Sequence, residues 1–457
     1  MQLQIINPHD QSLLAELPTT TPTEVQTMVK ASKKAYQNWQ FTTVEERAKY
    51  IQKFRDLLEK NSEKMAKIIS QEMGKPLQQS QDEIQSELEF VDYYIAQSPT
   101  AFKPEVVLEK NGATFTVFHE PYGVCLCIAP WNFPLSMANS GVLPALLAGN
   151  TVILKPSEYT TLSQKMVIDL LNEAGLPEGV VQVAVGAGDV GAELMKQDIN
   201  LLWFTGSTRT GRMLIEQASK KFVKSLLEMG GSSPAIVFAD ADMDAAVENV
   251  YWSRFLNCGQ VCTAVKRLLV EASVYDAFVE KMKQRLTDLK LGNPLENSDI
   301  GPLVTLKQRE ILEAQVADAV EKGATVVIGG KRPEDAALAN GAYFEPTLLI
   351  KVTADMQVLT DEVFGPVLPI LPFSTEEEAI KMANDTEYGL SAEVYTTDAT
   401  KAQRVARQIQ AGVVAVNTSD FFKPECPFGG YKLSGMGREY GLVGLREFAQ
   451  LKTVTLA

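Results

Sequence analysis

The chain has 457 residues, of which 45% are hydrophobic and 22% are charged, and its net charge at pH 7 is −14. This length is too great for one hydrophobic core, so two or three domains are expected, and the composition is that of an ordinary globular protein. The acidic balance argues against nucleic acid and anionic membrane surfaces as partners. No apolar run approaches the ~18 residues that span a bilayer.

Five cysteines and two histidines limit the available chemistry. The cysteines are odd in number and scattered, which suits a reducing compartment, and the chain does not open with a basic and apolar leader. A cytoplasmic location is therefore expected. His9 and His119 lie far from any cysteine cluster, so we expect neither a metal site nor a histidine-based triad.

The first hundred residues are predicted to be mainly helical. Apolar residues recur at three- and four-residue spacing in four segments, which cover 23–39, 44–61, 62–73 and 77–95. Thr23 is the expected cap of the first helix. Residues 113–128 alternate and then become continuously apolar, which predicts a hairpin that leads into a buried strand.

Residues 151–227 alternate short apolar strands with helical segments, which predicts a parallel sheet covered by helices on both faces. Gly186–Gly191 has the spacing G-x-G-x-x-G, but the acidic residue that a dinucleotide fingerprint needs about 20 residues later is missing. Thr205-Gly206-Ser207 is a better phosphate site. The helix predicted to begin near Gly211 would turn its free N–H groups and its dipole toward an anion.

Residues 235–433 are predicted to form a second α/β unit. Its expected helices cover 243–254, 273–289 with Ser273 as the cap, and 308–322, and its expected strands cover 234–238, 267–271, 324–328, 390–397 and 412–417. The final residues, 452–456, alternate like an edge strand, which usually seeks a partner.

Three stretches carry reactive groups. In residues 257–262, Asn-Cys-Gly-Gln-Val-Cys, the Asn and Gly favour a tight left-handed turn that leaves the backbone N–H of Cys262 free. Such an N–H can hold the oxyanion that forms when the sulfur attacks a carbonyl. Glu228 precedes Met-Gly-Gly and is expected on a flexible turn, and Asn132 is an amide between two prolines. Nucleophile, base and oxyanion donor are the minimum set for acyl chemistry through a thioester.

The order and spacing of these stretches and four others resemble a known family. The others are Leu154-Lys155-Pro156-Ser157-Glu158, Phe204-Thr205-Gly206-Ser207, Glu362-Val363-Phe364-Gly365-Pro366 and Pro427-Phe428-Gly429-Gly430. From residue 6 to its final strand the chain resembles the NAD(P)-dependent aldehyde dehydrogenase superfamily. Its length and ending are most similar to the short bacterial succinate-semialdehyde dehydrogenases.

The resemblance implies an α/β fold with three parts. These are a Rossmann-like cofactor domain (1–112 and 128–234), a second α/β catalytic domain (235–433), and a small β oligomerisation element (113–127 and 434–457). It also implies a homodimer or homotetramer that oxidises a small-molecule aldehyde to the carboxylic acid with NAD, NADP being possible. Cys262 is then the nucleophile, Glu228 the base for hydrolysis and Asn132 the oxyanion donor.

The cofactor residues follow from the same resemblance. Lys155 and Glu158 hold the adenosine ribose, and Glu362 and Phe364 serve the nicotinamide end. The other residues implied are Ile128, Pro130, Trp131, Ser157, Gly188, Phe204, Thr205, Gly206, Ser207, Met229 and Gly230. We expect NAD to be preferred over NADP, because the carboxylate of Glu158 repels a 2′-phosphate.

A largely apolar substrate tunnel is expected, formed by Phe133 at its inner end, Phe421 or Phe422 at its mouth, and Ser140, Leu256 and Val261 in its wall. Burying an unpaired carboxylate there would cost several kcal/mol, so a charged semialdehyde requires a cation. The candidate cations are Arg254 and Lys423. Succinate semialdehyde and a broad range of aliphatic or aromatic aldehydes both stay open as substrates.

Two other functions also stay open. A thiol esterase would use Cys262 and Glu228 without redox chemistry and would leave Lys155 and Glu158 without a role. A non-catalytic structural relative would be expected to lack one of the reactive residues, and all are present. Cys258 lies four residues before Cys262 and is a candidate for a disulfide with it under oxidation.

Overall fold

The computed structural model describes all residues, 1–457. It begins with a hairpin, four helices and two further strands: β1 (Gln2–Ile6), β2 (Leu13–Pro18), α1 (Pro22–Trp39), α2 (Val44–Lys60), α3 (Ser62–Met73), α4 (Leu77–Ala101), β3 (Glu105–Lys110) and β4 (Ala113–Pro121). Thr21, not the predicted Thr23, caps α1. The Thr21 hydroxyl accepts the N–H of Glu24, and the Glu24 carboxylate accepts the N–H of Thr21.

The next part alternates strands and helices: β5 (Val124–Ile128), α5 (Pro134–Ala148), β6 (Thr151–Lys155), α6 (Thr161–Glu173), β7 (Val181–Val183), α7 (Gly188–Lys196), β8 (Leu201–Thr205), α8 (Thr208–Ser219) and β9 (Lys224–Glu228). The five strands are parallel, in the order β9-β8-β5-β6-β7. Alternate residues of β5 enter two different apolar cores, one on each face of the sheet. The predicted parallel sheet with two covered faces is confirmed.

The second unit contains β10 (Ser233–Val237), α9 (Met243–Phe255), β11 (Val265–Glu271), α10 (Tyr275–Thr287), α11 (Leu306–Glu321), β12 (Thr325–Ile328), β13 (Thr347–Ile350), α12 (Gln357–Thr360), β14 (Val367–Phe373), α13 (Glu376–Asn384), β15 (Tyr388–Gly389), β16 (Ser391–Tyr395), α14 (Ala399–Gln408) and β17 (Val413–Val416). Seven of its strands form a sheet in the order β12-β13-β14-β11-β10-β16-β17, in which only the β12–β13 pair is antiparallel. Ser273 does not cap α10, which begins at Tyr275. Its hydroxyl donates to the Glu271 carboxylate instead.

The chain ends with β18 (Tyr431–Lys432), β19 (Gly435–Met436), α15 (Gly441–Arg446) and β20 (Ala449–Leu456). The last strand, β20, is an edge of a three-stranded antiparallel sheet in the order β20-β4-β3, as its alternating sequence predicts. None of the helices has the length and apolar character needed to cross a membrane.

Three strands, β3, β5 and β19, belong to a different sheet from the one that the predicted domain boundaries imply. The hairpin partner of β4 is β3, across Asn111 and Gly112, which both have positive φ. The turn at 121–123, which the sequence suggests as part of a hairpin, instead carries the chain from the small sheet to β5 in the six-stranded sheet. Near the end of the chain, β19 pairs with β9 and completes that larger sheet rather than the small one.

Candidate active site

The turn before Cys262 has the left-handed backbone that its sequence predicts. Asn257, Cys258 and Gly259 have φ angles of 54°, 55° and 72°. A Cβ on Gly259 would stand 2.3 Å from the carbonyl oxygen of Gly365, so this position requires glycine. The backbone N–H of Cys262 donates to no acceptor within the protein. It is therefore free to bind an oxyanion, as predicted.

Asn132 is held to the same turn by hydrogen bonds. Its Nδ2 donates to the carbonyl oxygen of Gln260 at 3.0 Å, and its own carbonyl oxygen accepts from Nδ2 of Asn257 at 2.8 Å. An amide nitrogen has two N–H donors, so one of them remains for a ligand. The turn thus fixes both candidate oxyanion donors relative to each other.

Glu228 ends strand β9, so the prediction that it lies on a flexible turn is wrong. The Met-Gly-Gly segment begins only after the strand, and the carbonyl oxygen of Glu228 accepts the N–H of Gly206 at 3.0 Å. The side chain is buried, and its Oε2 has no hydrogen-bond partner. Burial, with the nearby charge of Glu439, raises the pKa of Glu228 well above its usual range. Such a carboxyl group has the proton affinity that a general base requires.

The thiol of Cys262 is protonated near neutral pH. Burial raises its pKa to about 12, the charges of Glu362 and Glu228 add to this rise, and the ammonium of Lys266 opposes it. The thiolate is the reactive form, so the thiol needs a base before it can act as a nucleophile. Glu228 is close enough to act on the thiol through its charge.

Asn132 and Cys262 meet at one cavity of about 630 Å³, whose lining does not include Glu228. The predicted site residues that line it lie at the strand ends and loops of both α/β units, including the 418–426 loop: Pro130, Trp131, Asn132, Phe133, Thr205, Gly206, Ser207, Met229, Gly230, Leu256, Val261, Cys262, Glu362, Phe364, Phe421 and Phe422. Ser140 does not line it. Helix α5 is buried on all sides from Ala138 onward, and the Ser140 hydroxyl donates to the carbonyl oxygen of Met137 instead.

The segment that leads into α8 suits the phosphates of a dinucleotide. Helix α8 begins earlier than predicted, at Thr208, with Ser207 as its N-cap. The hydroxyls of Thr205 and Thr208 are buried and have no hydrogen-bond partner. A Cβ on Gly206 would stand 2.6 Å from the ring of Phe204, so this position requires glycine and no side chain covers its backbone. Two unused hydroxyl groups beside a helix N-terminus fit an anion.

The predicted adenosine-end residues lie outside the lining of this cavity, beyond the ends of β5 and β6. Ile128 ends β5, Lys155 ends β6, and Lys155 Nζ is 3.8 Å from Glu158 Oε2. Burial lowers the pKa of Lys155, and the charge of Glu158 opposes this change. Ser157 is buried after the same strand. Gly188 is the first residue of α7, and an added Cβ there would meet nothing within 4 Å.

The predicted nicotinamide-end residues are close together. The rings of Trp131 and Phe364 meet edge to face, with centroids 5.3 Å apart. A Cβ on Gly230 would stand 2.2 Å from Oε2 of Glu362, so the glycine lets the carboxylate approach the backbone. Glu362 Oε1 accepts the N–H of Gly231 at 3.1 Å.

Lys266 is a site residue that the sequence analysis misses. Its buried Nζ donates to the carbonyl oxygens of Gly231 at 2.7 Å and Cys262 at 2.9 Å, and to Glu362 Oε1 at 2.9 Å. One ammonium group therefore connects, by hydrogen bonds, the loop that carries Cys262, the Met-Gly-Gly turn after Glu228 and the Glu362 carboxylate. The available signal is the pair of cations, Lys266 and Arg267, near the start of an otherwise apolar strand.

Neither cation predicted to hold a substrate carboxylate lines the cavity. Arg254 is fully buried, and its Nη2 donates to the carbonyl oxygens of Val363 and Gly365. Its neighbours on α9, Trp252 and Ser253, face the cavity instead. Lys423 forms an exposed ion pair with Asp420 at 2.7 Å. The predicted roles of Arg254 and Lys423 are therefore wrong.

Cys258 and Cys262 pack into different surroundings. Cys258 is buried in the apolar core of the seven-stranded sheet, whereas Cys262 packs against the core of the six-stranded one. Both thiols are free. A disulfide between them would require the intervening left-handed turn to rearrange.

A cleft between two α/β units that combines a thiol, an anchored amide, a nearby buried carboxylate and a segment suited to phosphates fits a cysteine-dependent oxidoreductase. The chain belongs to the aldehyde dehydrogenase family, whose model matches residues 1–454. It is therefore an NAD(P)-dependent enzyme that oxidises aldehydes, which confirms the predicted family, fold class and cofactor.

Similar proteins match over nearly the whole chain. It is 38% identical to betaine aldehyde dehydrogenase of Bacillus subtilis over 455 residues, which are 98% of this chain and 93% of that protein. It is 37% identical to an NADP(+) succinate-semialdehyde dehydrogenase of Escherichia coli over 453 residues, again 98% and 93%. The solved structure of betaine aldehyde dehydrogenase from Staphylococcus aureus in complex with NAD+ superposes with a TM-score of 0.97 at 33% identity, covering 100% of this chain and 91% of that one. The substrate names differ at nearly equal identity, so they establish the reaction and not the substrate.

Proposed function

We propose that the chain converts a small aldehyde to its carboxylic acid through a thioester on Cys262. One observation carries this proposal: the free N–H of Cys262 and the anchored amide of Asn132 meet in the cavity that Thr205-Gly206-Ser207 also lines, and the buried carboxylate of Glu228 is close enough to affect the Cys262 thiol. Glu228 takes the thiol proton, and the sulfur bonds to the carbonyl carbon. The Cys262 N–H and Asn132 Nδ2 stabilise the oxyanion.

NAD(P), when bound, supplies the hydride acceptor. Hydride loss from the former carbonyl carbon leaves a thioester on Cys262. Glu228 first passes the thiol proton to solvent and then deprotonates the water that attacks this thioester. The departing sulfur takes that proton back, so the carboxylic acid is released and the Cys262 thiol is regenerated. A hydrolytic base in this position supports a non-acylating enzyme, because transfer to a thiol acceptor would not need one.

We place the two ends of the cofactor on different strands. Lys155 and Glu158 are assigned to the adenosine ribose, Thr205-Gly206-Ser207 to the pyrophosphate and Glu362 to the nicotinamide ribose. The unused hydroxyls beside α8 and the open space above Gly188 support this placement. The carboxylate of Glu158 favours NAD over NADP, because a 2′-phosphate beside it would be repelled.

The substrate is proposed to be an aldehyde without negative charge. All four charged side chains in the cavity lining are carboxylates: Asp82, Glu83, Glu87 and Glu362. An anionic semialdehyde would meet like charge and lose its hydration without a cation in return. This favours aliphatic or aromatic aldehydes over succinate semialdehyde, although relatives named for the semialdehyde match the chain closely.

The three-stranded sheet is proposed to join subunits in a homodimer or homotetramer. Its edge strand β20 exposes Leu451 and Leu456, and β3 exposes Val106, Val107 and Leu108. An exposed edge with apolar side chains is a template for pairing. Light scattering coupled to size-exclusion chromatography tests the assembly.

The five free cysteines are consistent with a reducing, cytoplasmic environment.

Mixing the enzyme with butanal or benzaldehyde and either NAD or NADP tests the activity. We expect the reduced nicotinamide absorbance to rise with at least one cofactor. Hydrolysis of 4-nitrophenyl acetate without any cofactor reduction would favour the thiol esterase, and the lack of both activities would favour a structural relative.

A further inference from the structure

Helix α4 turns one face toward the substrate cavity. Its lining residues are Gln79, Asp82, Glu83, Ser86, Glu87 and Phe90. They are spaced three and four apart, which places them on one side of a helix. The opposite side of α4 packs against α2 and α3. A single rigid helix therefore sets the charge of this cavity wall.

The carboxylates on this wall differ in whether they are already satisfied. Glu83 is paired with the buried ammonium of Lys75, and its Oε1 accepts the N–H groups of Leu135 at 3.1 Å and Ser136 at 3.2 Å. Asp82 is exposed and accepts from the side-chain amide of Gln78 at 3.0 Å. Both groups have partners without a substrate.

Glu87 has no cation partner. Residue Glu87 is only 4% exposed and lines the cavity; its hydrogen-bond partners are the uncharged side chains of Asn139 and Ser136, and its charged neighbour is another carboxylate, Glu83. Burial raises the pKa of Glu87 well above its usual range, because nothing positive offsets the loss of water. A positive group in the cavity would supply the missing counter-charge.

Aromatic rings continue the same wall. Phe90 lies one helical turn from Glu87 and meets Tyr440 with ring centroids 4.7 Å apart. Phe422 is 6.2 Å from Tyr440 and 5.3 Å from Phe421, and all four rings line the cavity. Aromatic faces attract cations, and quaternary ammonium groups are recognised by such clusters.

Building on the proposed aldehyde oxidation, we infer that this cavity selects aldehydes that carry an ammonium or quaternary ammonium group, held between Glu87 and the aromatic wall. Neutral aldehydes of the same shape are oxidised less efficiently, and anionic ones least. The selectivity comes from a buried carboxyl group that has no cation partner in the protein and ionises when a positive group binds beside it, and from rings that tolerate a methylated cation.

An isosteric pair of substrates tests the inference in the wild-type enzyme. Trimethylammonioacetaldehyde and 3,3-dimethylbutanal have nearly the same shape and differ in one positive charge. We expect kcat/KM, corrected for the hydrated fraction of each aldehyde by NMR, to be at least tenfold higher for the cation. Succinate semialdehyde is expected to fall below butanal. Equal values for the isosteric pair, or a hundredfold advantage for succinate semialdehyde, would overturn the inference.

The variant Glu87→Gln assigns the effect to one side chain. It keeps the size of the residue and removes the carboxyl group that would ionise beside a bound cation, so the cation advantage is expected to fall severalfold or more. Glu89→Gln is the matched control, because Glu89 is exposed on the same helix and does not line the cavity. An equal loss in both variants would contradict a role for Glu87. If Glu87→Gln does not fold, the comparison of isosteric substrates still decides.

The two proposals fail in different ways. If no aldehyde is oxidised with NAD or NADP, the proposed function itself is wrong. If neutral aldehydes are oxidised and the cation gains nothing, the chemistry on Cys262 stands and the charge selectivity is wrong.

Discussion

The two ends of the active-site cavity are built differently. At the chemical end, Asn132, Asn257 and Lys266 are fixed by hydrogen bonds to backbone carbonyls between the two sheets. At the α4 end, Glu87 and the rings of Phe90 and Phe422 face the cavity without such bonds. The first end holds atoms where a transition state needs them, and the second offers a charge and a shape for a ligand to complete.

This difference separates chemistry from selection. Changes at the chemical end are expected to affect every substrate, since all of them pass through the same oxyanion and thioester. Changes on α4 are expected to alter the ranking of substrates.

Cys262→Ala is expected to abolish aldehyde oxidation, by at least a thousandfold in kcat, because the covalent intermediate cannot form. The same change should abolish hydrolysis of 4-nitrophenyl acetate. Both activities are measured by absorbance, with circular dichroism to show that the variant is folded. Cys258→Ala is the control, since that thiol lies in the core and is expected to leave oxidation largely intact. An active Cys262→Ala enzyme would refute the mechanism.

Glu228→Gln is expected to lower steady-state kcat by about 10²- to 10⁴-fold, because thioester hydrolysis loses its base. A single burst of NADH, at most one equivalent per site, should remain. With the Cys262 pKa near 12, the thiolate is scarce at pH 7. The burst rate should therefore rise about tenfold per pH unit between pH 7 and 10. Stopped-flow absorbance measures it, and a pH-independent burst would show that Cys262 is already ionised.

Lys266→Met is expected to destabilise the fold by roughly 3–5 kcal/mol, because it leaves two carbonyl oxygens and the half-buried Glu362 carboxylate without their shared buried donor. Lys281→Met is the matched control. Lys281 forms an exposed ion pair with Asp244 at 2.6 Å, which is expected to contribute less than about 1 kcal/mol. Urea unfolding with and without NAD measures both. Equal losses in the two variants would show that Lys266 does not tie the site together.

Glu158→Ala is expected to have the smallest effect. Removing this carboxylate should weaken NAD binding and relieve repulsion of a 2′-phosphate, so the ratio of kcat/KM for NAD to that for NADP falls about tenfold, or about 1.4 kcal/mol. Initial rates with both cofactors measure the ratio. Similar kcat/KM values for NAD and NADP in the wild type would already contradict the assigned preference.

The fold was predictable to the level of its sheets and helices, because strand and helix periods in this chain are regular. The left-handed turn before Cys262 is also predictable, because Asn and Gly at such a spacing favour this backbone conformation. The sequence does not reveal which of the sheets β3, β5 and β19 join. Their pairing depends on contacts between residues that are remote in sequence, such as Gly123 and Asn200.

The errors at the site have a common origin. Arg254 is predicted to reach the cavity because it lies one helical turn from Cys258, and Ser140 because of its place in the family pattern after Asn132. Both side chains are instead buried within the core. Successive side chains of a helix point in different directions, so a residue that is close in sequence to a reactive residue need not point into the same cavity. The sequence does not reveal the roles of Lys266 and Glu87, because these depend on residues remote in sequence, such as Gly231 and Glu362 for Lys266 and Asn139 for Glu87.

The geometry of α4 also has a consequence for how this protein could diversify. Its 25 residues are fixed by packing on one side and by the buried Glu83–Lys75 pair, while the other five cavity-lining positions form no ion pair with the protein. A library confined to those positions would sample new substrate preferences without altering the thiol, the base or the nucleotide site. Duplicated copies of such a gene can diverge along the same route, one helix face at a time.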